Sequence, residues 1–161
     1  MSLGLASLGS AVARAIGGKT AAPDHPVVAL VGDGASVMNR LDVHAAVHHE
    51  IPMLWLVRNH GGHGMVNHRE PLLLGKHLET CELATPANIH ALSMAIGATS
   101  SQVRAREALR AALDDALALN KPSVIDAIID PDVVPDSAAR QARAVKAGFV
   151  QESPRGPKVR R

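Results

Sequence analysis

Apolar residues near the start of the chain fall at Leu5, Leu8, Val12 and Ile16. That is the spacing of one helix face, and Gly9, Ala11 and Ala13 are small enough to let a neighbour approach closely. Gly17-Gly18 predicts the end of this helix. After a polar loop to Pro26, "VVALV" at 27–31 is a short unbroken apolar run of the kind that parallel sheets bury on both faces. The run stops on Gly32-Asp33-Gly34. From Ser36 to about His49 a helical pattern follows, with Val37, Leu41 and Ala45 on one face and Pro52 marking its end.

A second strand is predicted at "MLWLV", 53–57, and it stops at a polar, glycine-rich loop, "RNHGGHGMVNHREP". Thr85-Pro86 pairs an N-cap with proline at the first helical position, opening a helix with Ile89, Leu92 and Ile96 inward. A third strand is expected near 98–103. Leu109, Leu113 and Leu117 are in register along a helix over 107–119, which Asn120 and Pro122 close before the strand "SVIDAII". Asp136 and Gly148 bracket a last short helix with Arg140, Arg143 and Lys146 on its solvent face. Alternating strands and helices predict an α/β fold: a three-layer open, mainly parallel sheet with helices on both faces. In such sheets ligands bind beyond the carboxyl ends of the strands, where both special loops fall.

Composition narrows the classes. The 161 residues have the length of one domain, and with Trp55 and Phe149 as the only aromatics the core must be built from small aliphatics. The net charge of +2 is concentrated in the tail "RGPKVRR", which has no interleaved aromatics and reads as a solvated end, so no nucleic-acid partner is expected. A single cysteine, Cys81, rules out an internal disulfide and supplies no ligand set for an iron–sulfur cluster, which suits a reducing cytoplasm. The apolar N-terminal stretch lacks a basic leader region, is broken by Arg14 and is too short to span a bilayer, so no membrane partner is expected. His44, His48 and His49 are too crowded to form a zinc set on one helix face and read as solvated.

The chemistry lies in the two loops. A carboxylate held between glycines at a strand mouth adds nothing to a core, so a ligand is expected to use it. Gly34, Ala35 and Ser36 would offer backbone N–H groups to a phosphate, and Asp33 is a hard oxygen donor suited to Mg²⁺. Asn59 and a backbone carbonyl at Gly61 could complete an oxygen set. Each loop taken alone reads equally well as a plain turn.

Spacing changes this, because 24 residues, one helix plus one strand, separate Gly34 from Asn59. "GDG", 24 residues, then "N" resembles the binding signature of thiamine-diphosphate (ThDP)-dependent enzymes, whose usual form ends in paired asparagines. Here Arg58 stands at the first of the pair and Asn59 at the second. The resemblance implies that Asp33 and Asn59 hold Mg²⁺ by side chain and Gly61 by its carbonyl. It also implies that the diphosphate lies across Gly32, Gly34, Ala35 and Ser36. "HGMVNHREPLLLGKH", 63–77, is similar to the segment after the asparagines in acetolactate synthases, which puts Gly64 and Met65 at the cofactor. Leu3 stands where the family often has the Met that supports the bent cofactor. His60 and His63 are then the candidates for substrate contact or proton transfer, since imidazole titrates near neutrality.

On this resemblance residues 1–135 form a pyrophosphate-binding domain lacking the usual first strand, and 136–161 a C-terminal helix and basic tail. The implied function is that of a ThDP/Mg²⁺-binding subunit or fragment of a 2-oxo-acid decarboxylase or carboligase. Its partner would be a pyrimidine domain carrying the activating glutamate, on a separate subunit in a mixed tetramer or on a longer form of the same enzyme. A sulfopyruvate- or phosphonopyruvate-decarboxylase-type β subunit is the alternative enzyme. Arg58 and the missing first strand favour a third reading, a non-catalytic scaffolding remnant. A 2-oxoacid:ferredoxin oxidoreductase is disfavoured by the missing cysteines.

Overall fold

The computed structural model describes residues 7–64, 66 and 85–133. Helix α1 (Ser10–Ala21) precedes strand β1 (Val28–Gly32), and two short helices, α2 (Asp33–Met38) and α3 (Asp42–His48), lead to β2 (Leu54–Asn59). Helix α4 (Ile89–Ala95), β3 (Thr99–Val103), α5 (Arg106–Leu119) and β4 (Ser123–Ile128) follow. The four strands form one sheet in the order β1-β2-β4-β3, and every pairing is parallel.

Alternation along the strands divides the core in two. Ala29, Val31, Trp55, Val57 and Val124 face α1, α3 and α4, where they pack with Val12, Val43, Ala46 and Ile89. The fully buried Val12, Val43 and Ile89 each contribute roughly 1.5–3 kcal/mol by leaving water. On the opposite face Leu54, Ile125, Ala127 and Val103 pack against Leu109, Ala112 and Leu113 of α5. This is the expected three-layer α/β sheet. Cover on the second face is uneven, because Val28 and Leu30 of the edge strand β1 remain 48% and 59% exposed. No helix among the described residues is long and apolar enough to cross a membrane.

Several element boundaries differ from the sequence expectation. The first helix does not end at Gly17-Gly18 but runs to Ala21. Neither glycine adopts the positive φ that terminates a helix, whereas Gly9, just before the helix, does at 82°. Lys19 holds the true end, its Nζ donating to the carbonyls of Pro23 (2.6 Å) and His25 (2.9 Å). The expected helix over 36–49 is broken at 39–41, and its assigned inner face is wrong: Val37 is 42% and Leu41 76% exposed. The buried positions are Asp33, Gly34, Ser36, Arg40, Val43 and Ala46. Helix α4 starts three residues after Pro86, capped by Asn88, whose Oδ1 accepts from the Ala91 N–H at 2.9 Å. Leu92, expected inward, is exposed, and Ser93 takes the buried position. Strand β2 continues through Arg58 to Asn59, so Asn59 belongs to the sheet rather than the loop. The expected helix at 136–148, the basic tail and Cys81 lie outside the described residues.

Candidate cofactor and metal site

All four strands point their carboxyl ends the same way, so Asp33 just past β1 and Asn59 at the tip of β2 are brought to one edge of the sheet. The link between them is the turn after β2. Asp33 Oδ2 accepts from the backbone N–H of both Gly61 and Gly62, each at 2.9 Å. Gly61 N–H also reaches Asn59 Oδ1 at 3.2 Å. Two side-chain oxygens from neighbouring strand ends therefore converge on one donor. Gly61 makes the turn with φ of 85°, a conformation that favours glycine.

Polar burial marks the same place. Among the described residues, the buried side-chain polar atoms without a hydrogen-bond partner are Asp33 Oδ1, Ser36 Oγ and the three guanidinium nitrogens of Arg40. Asp33 and Ser36 lie three apart on α2, and Arg40 is buried in the turn that follows it. Buried groups of this kind are normally paired, so a cluster of them points to a missing partner. Asp33 Oδ1 lies 3.1 Å from Nδ1 of His60 as an ion-pair contact. A carboxylate that anchors a turn with one oxygen and keeps the other available suits a divalent cation, which needs few protein ligands when phosphate oxygens supply the rest. A Cβ placed on Gly32 would meet nothing within 4 Å, so there is open space at the end of β1, beside the first turn of α2. Magnesium and a diphosphate fit this donor set.

Other expected residues take more varied places. Gly34 is a close approach: a Cβ there would come within 2.7 Å of the His63 ring. His63 is thereby laid on the first turn of α2, at the end expected to receive the diphosphate. Gly64 is buried and packs against the His60 ring. His60 Nδ1 has competing contacts, since it is 3.1 and 3.3 Å from the two Asp33 oxygens while the Gly62 N–H donates to it at 3.2 Å. Only one can be a hydrogen bond for a given tautomer. Ala35 turns its side chain into the first core, leaving its backbone for a ligand. Leu3 and Met65 lie outside the described residues. His44, His48 and His49 stay on the surface, and the described residues hold no group of three or more His, Cys, Asp or Glu able to bind a metal.

Three further residues at this end of the sheet escaped the sequence reading. Asp126 of β4 is 0% exposed, accepting from Asn59 Nδ2 through Oδ1 and from Gln102 Nε2 through Oδ2, both at 2.9 Å. Arg40 is close to this carboxylate and only 4% exposed. Burial pushes its guanidinium pKa down to about 10, and the charge of Asp126 pulls the other way. The usable signal was the aspartate inside the apolar run "SVIDAII".

Residues 1–127 match the family described as thiamine pyrophosphate enzyme, C-terminal TPP binding domain. The chain belongs to this family. An acetolactate synthase large subunit of Mycobacterium tuberculosis, IlvG, is 30% identical over 126 residues, covering 78% of this chain and 23% of the relative. A 2-hydroxyacyl-CoA lyase of Arabidopsis thaliana is 30% identical over 129 residues, again 78% of this chain and 23% of the relative. The chain thus spans less than a quarter of the length of these curated relatives. In fold it is similar to the thiamine diphosphate-dependent 4-hydroxybenzoylformate decarboxylase of Rhodococcus jostii RHA1. The TM-score is 0.72 at 24% identity, over 76% of this chain and 23% of that one.

The contact of His63 with Gly34 leads to a definite expectation for this family member. In a complex with a pyrimidine-domain subunit, His63→Ala should weaken ThDP binding about 3- to 10-fold and lower any turnover by no larger factor. Calorimetric titration with ThDP beside steady-state rates tests this. A large loss of turnover at unchanged affinity would place His63 at the reacting end instead.

Proposed function

We propose that this chain provides the ThDP- and Mg²⁺-binding half of a 2-oxo-acid decarboxylase or carboligase of the acetolactate synthase type. The observation that carries the proposal is the convergence of Asp33 and Asn59 on the Gly61 turn beside the unpartnered polar face of Asp33, Ser36 and Arg40. In this reading Asp33 Oδ1, Asn59 Oδ1 and the Gly61 carbonyl hold the metal, and the first turn of α2 with Ser36 Oγ receives the diphosphate. ThDP, when bound, supplies the electron sink for breaking the bond beside a 2-oxo group. The chain's own residues would position that cofactor: Asp33 offsets part of the metal's charge, Asn59 adds a neutral oxygen ligand, and His63 packs over Gly34.

The chain matches less than a quarter of each relative's length, and in this reading the second half of the site is carried elsewhere, on a separate subunit or on a longer form of the same enzyme. The partner proposed is a pyrimidine domain carrying a glutamate, and the exposed Val28 and Leu30 of β1 supply apolar surface for association. Purified alone with ThDP and Mg²⁺, the chain should turn over no 2-oxo acid. Adding a subunit with that domain should give an active mixed oligomer with two copies of each. Size-exclusion chromatography coupled to a decarboxylation assay decides the matter. A monomer that decarboxylates pyruvate unaided would refute the half-site reading. A stable mixed complex inactive on every 2-oxo acid would leave the scaffolding reading in its place.

A further inference from the structure

The carboxylate of Asp126 has no place in the reading so far, yet it is the most completely buried ionisable group among the described residues, 0% exposed in an interior strand. Burying a carboxylate costs several kcal/mol even when it is well paired, and an apolar side chain at that position would cost nothing comparable. Stability alone does not account for it. Asp126 pairs in register with Val57 and Gln102, on the same sheet face as Asn59 two residues further along β2. Its two oxygens are taken by two side-chain amides, Asn59 Nδ2 and Gln102 Nε2, both at 2.9 Å.

An asparagine amide has two ends of nearly equal shape and opposite chemistry, because the oxygen can bind a cation and the NH₂ cannot. Asn59 is 7% exposed, so its environment must choose between the two orientations. An ionised carboxylate only accepts hydrogen bonds, so an Asn59 turned the other way would set its oxygen against an oxygen of Asp126. Gln102 occupies the second oxygen of Asp126 and prevents the carboxylate from turning away. Arg40, buried nearby, supplies the opposite charge.

We propose that Asp126 is the positioning residue for Asn59, holding its Nδ2 so that Oδ1 is delivered to the metal beside Asp33. The proposal rests on the cofactor reading above, but it concerns a different residue and fails separately. Asp126→Asn keeps shape and removes the stronger constraint, since the introduced amide can donate or accept and so tolerates Asn59 in either orientation, leaving only the Gly61 N–H at 3.2 Å to favour the oxygen. Exchanging the pair, Asn59→Asp with Asp126→Asn, restores it. The introduced amide would accept from Gln102 with its oxygen and donate to the carboxylate at position 59, whose other oxygen faces the site.

The experiment is calorimetric titration of the full chain with ThDP over a series of Mg²⁺ concentrations. It is paired with electron paramagnetic resonance of Mn²⁺ bound in the presence of ThDP, and circular dichroism reports folding. Asp126→Asn should weaken metal-dependent ThDP binding about 10-fold, the scale of losing a hydrogen bond to a charged group. The exchanged double variant should recover to within about 3-fold of wild type. Gln102→Met, at an exposed position, should weaken binding about 3-fold and serves if Asp126→Asn does not fold. A folded Asp126→Asn with wild-type metal affinity, a folded double variant without recovery, or an indifferent Gln102→Met overturns the proposal. Wild-type chain that shows no Mg²⁺-dependent ThDP binding either alone or with a pyrimidine-domain subunit added overturns the cofactor reading and this proposal with it. Wild-type binding with an indifferent Asp126→Asn overturns the proposal alone.

Discussion

Asp33→Ala should lower the affinity for ThDP at least about 100-fold in the presence of Mg²⁺, and chelating the metal should bring wild type down to the same level. Asp33 has two tasks that the alanine variant removes together. Its Oδ2 anchors the turn through the N–H groups of Gly61 and Gly62, and its Oδ1 is the buried oxygen left for a cation. Losing the anchor removes the shorter, charged partner of both N–H groups, at roughly 1 kcal/mol each, and leaves them only the 3.2 Å contacts to Asn59 Oδ1 and His60 Nδ1. Thermal melting of the ligand-free protein should therefore fall as well. Asp33→Asn separates the tasks: its oxygen still accepts from the turn, but the negative charge is gone. Melting should then stay close to wild type while ThDP affinity remains at least 10-fold down. Calorimetry with and without EDTA, together with melting curves, checks both. Binding that ignores both EDTA and the Asp33 variants would mean that the site assignment is wrong.

The positions that were legible in the sequence and those that were not differ for a physical reason. Strand β2 was plain because a strand buried on both faces needs an unbroken apolar run, and β1 carries the same run although its Val28 and Leu30 remain exposed. The mouth of the site was legible because a carboxylate between glycines has no use in a core. Helix ends were harder. Gly17-Gly18 reads as a stop, but a glycine ends a helix by taking a positive φ, and here Val12, Ala15 and Ile16 pack well enough to carry the helix past both glycines. The inner face of 36–49 was misread because the apolar Val37 and Leu41 were taken as core. The buried face is instead lined by Asp33, Ser36 and Arg40, residues that hydrophobic periodicity counts as solvent-facing. Asp126 was passed over for the opposite reason, as one polar letter inside an apolar strand. In both places the pattern failed where the interior is polar, which is also where the candidate chemistry lies.

Arg40→Met should raise the melting temperature of the ligand-free chain by about 4–8 °C, corresponding to roughly 2 kcal/mol in a protein of this size. Arg40 is 4% exposed, the three nitrogens of its guanidinium have no hydrogen-bond partner, and burial lowers its pKa to about 10. A lowered pKa for a base means that folding disfavours the charged form, here by about 3 kcal/mol. Below pH 10 the group is charged in both folded and unfolded states, so the whole penalty is present and does not vary with pH. Above about pH 10 the unfolded chain binds more protons than the folded one, so stability would rise with pH only there. Substitution is therefore the usable test at working pH. Methionine keeps most of the side chain's length and apolar contact while removing the charge. The opposing effect is the loss of a positive charge near Asp126. Desolvation is the larger of the two influences on Arg40, and Asp126 keeps its hydrogen bonds from Asn59 and Gln102, so the gain should win. Asp126→Asn added to Arg40→Met removes the second buried charge and should raise the melting temperature further. A fall of several degrees in Arg40→Met, recovered in that double variant, would instead show that the carboxylate depends on Arg40 more than on its two amide donors.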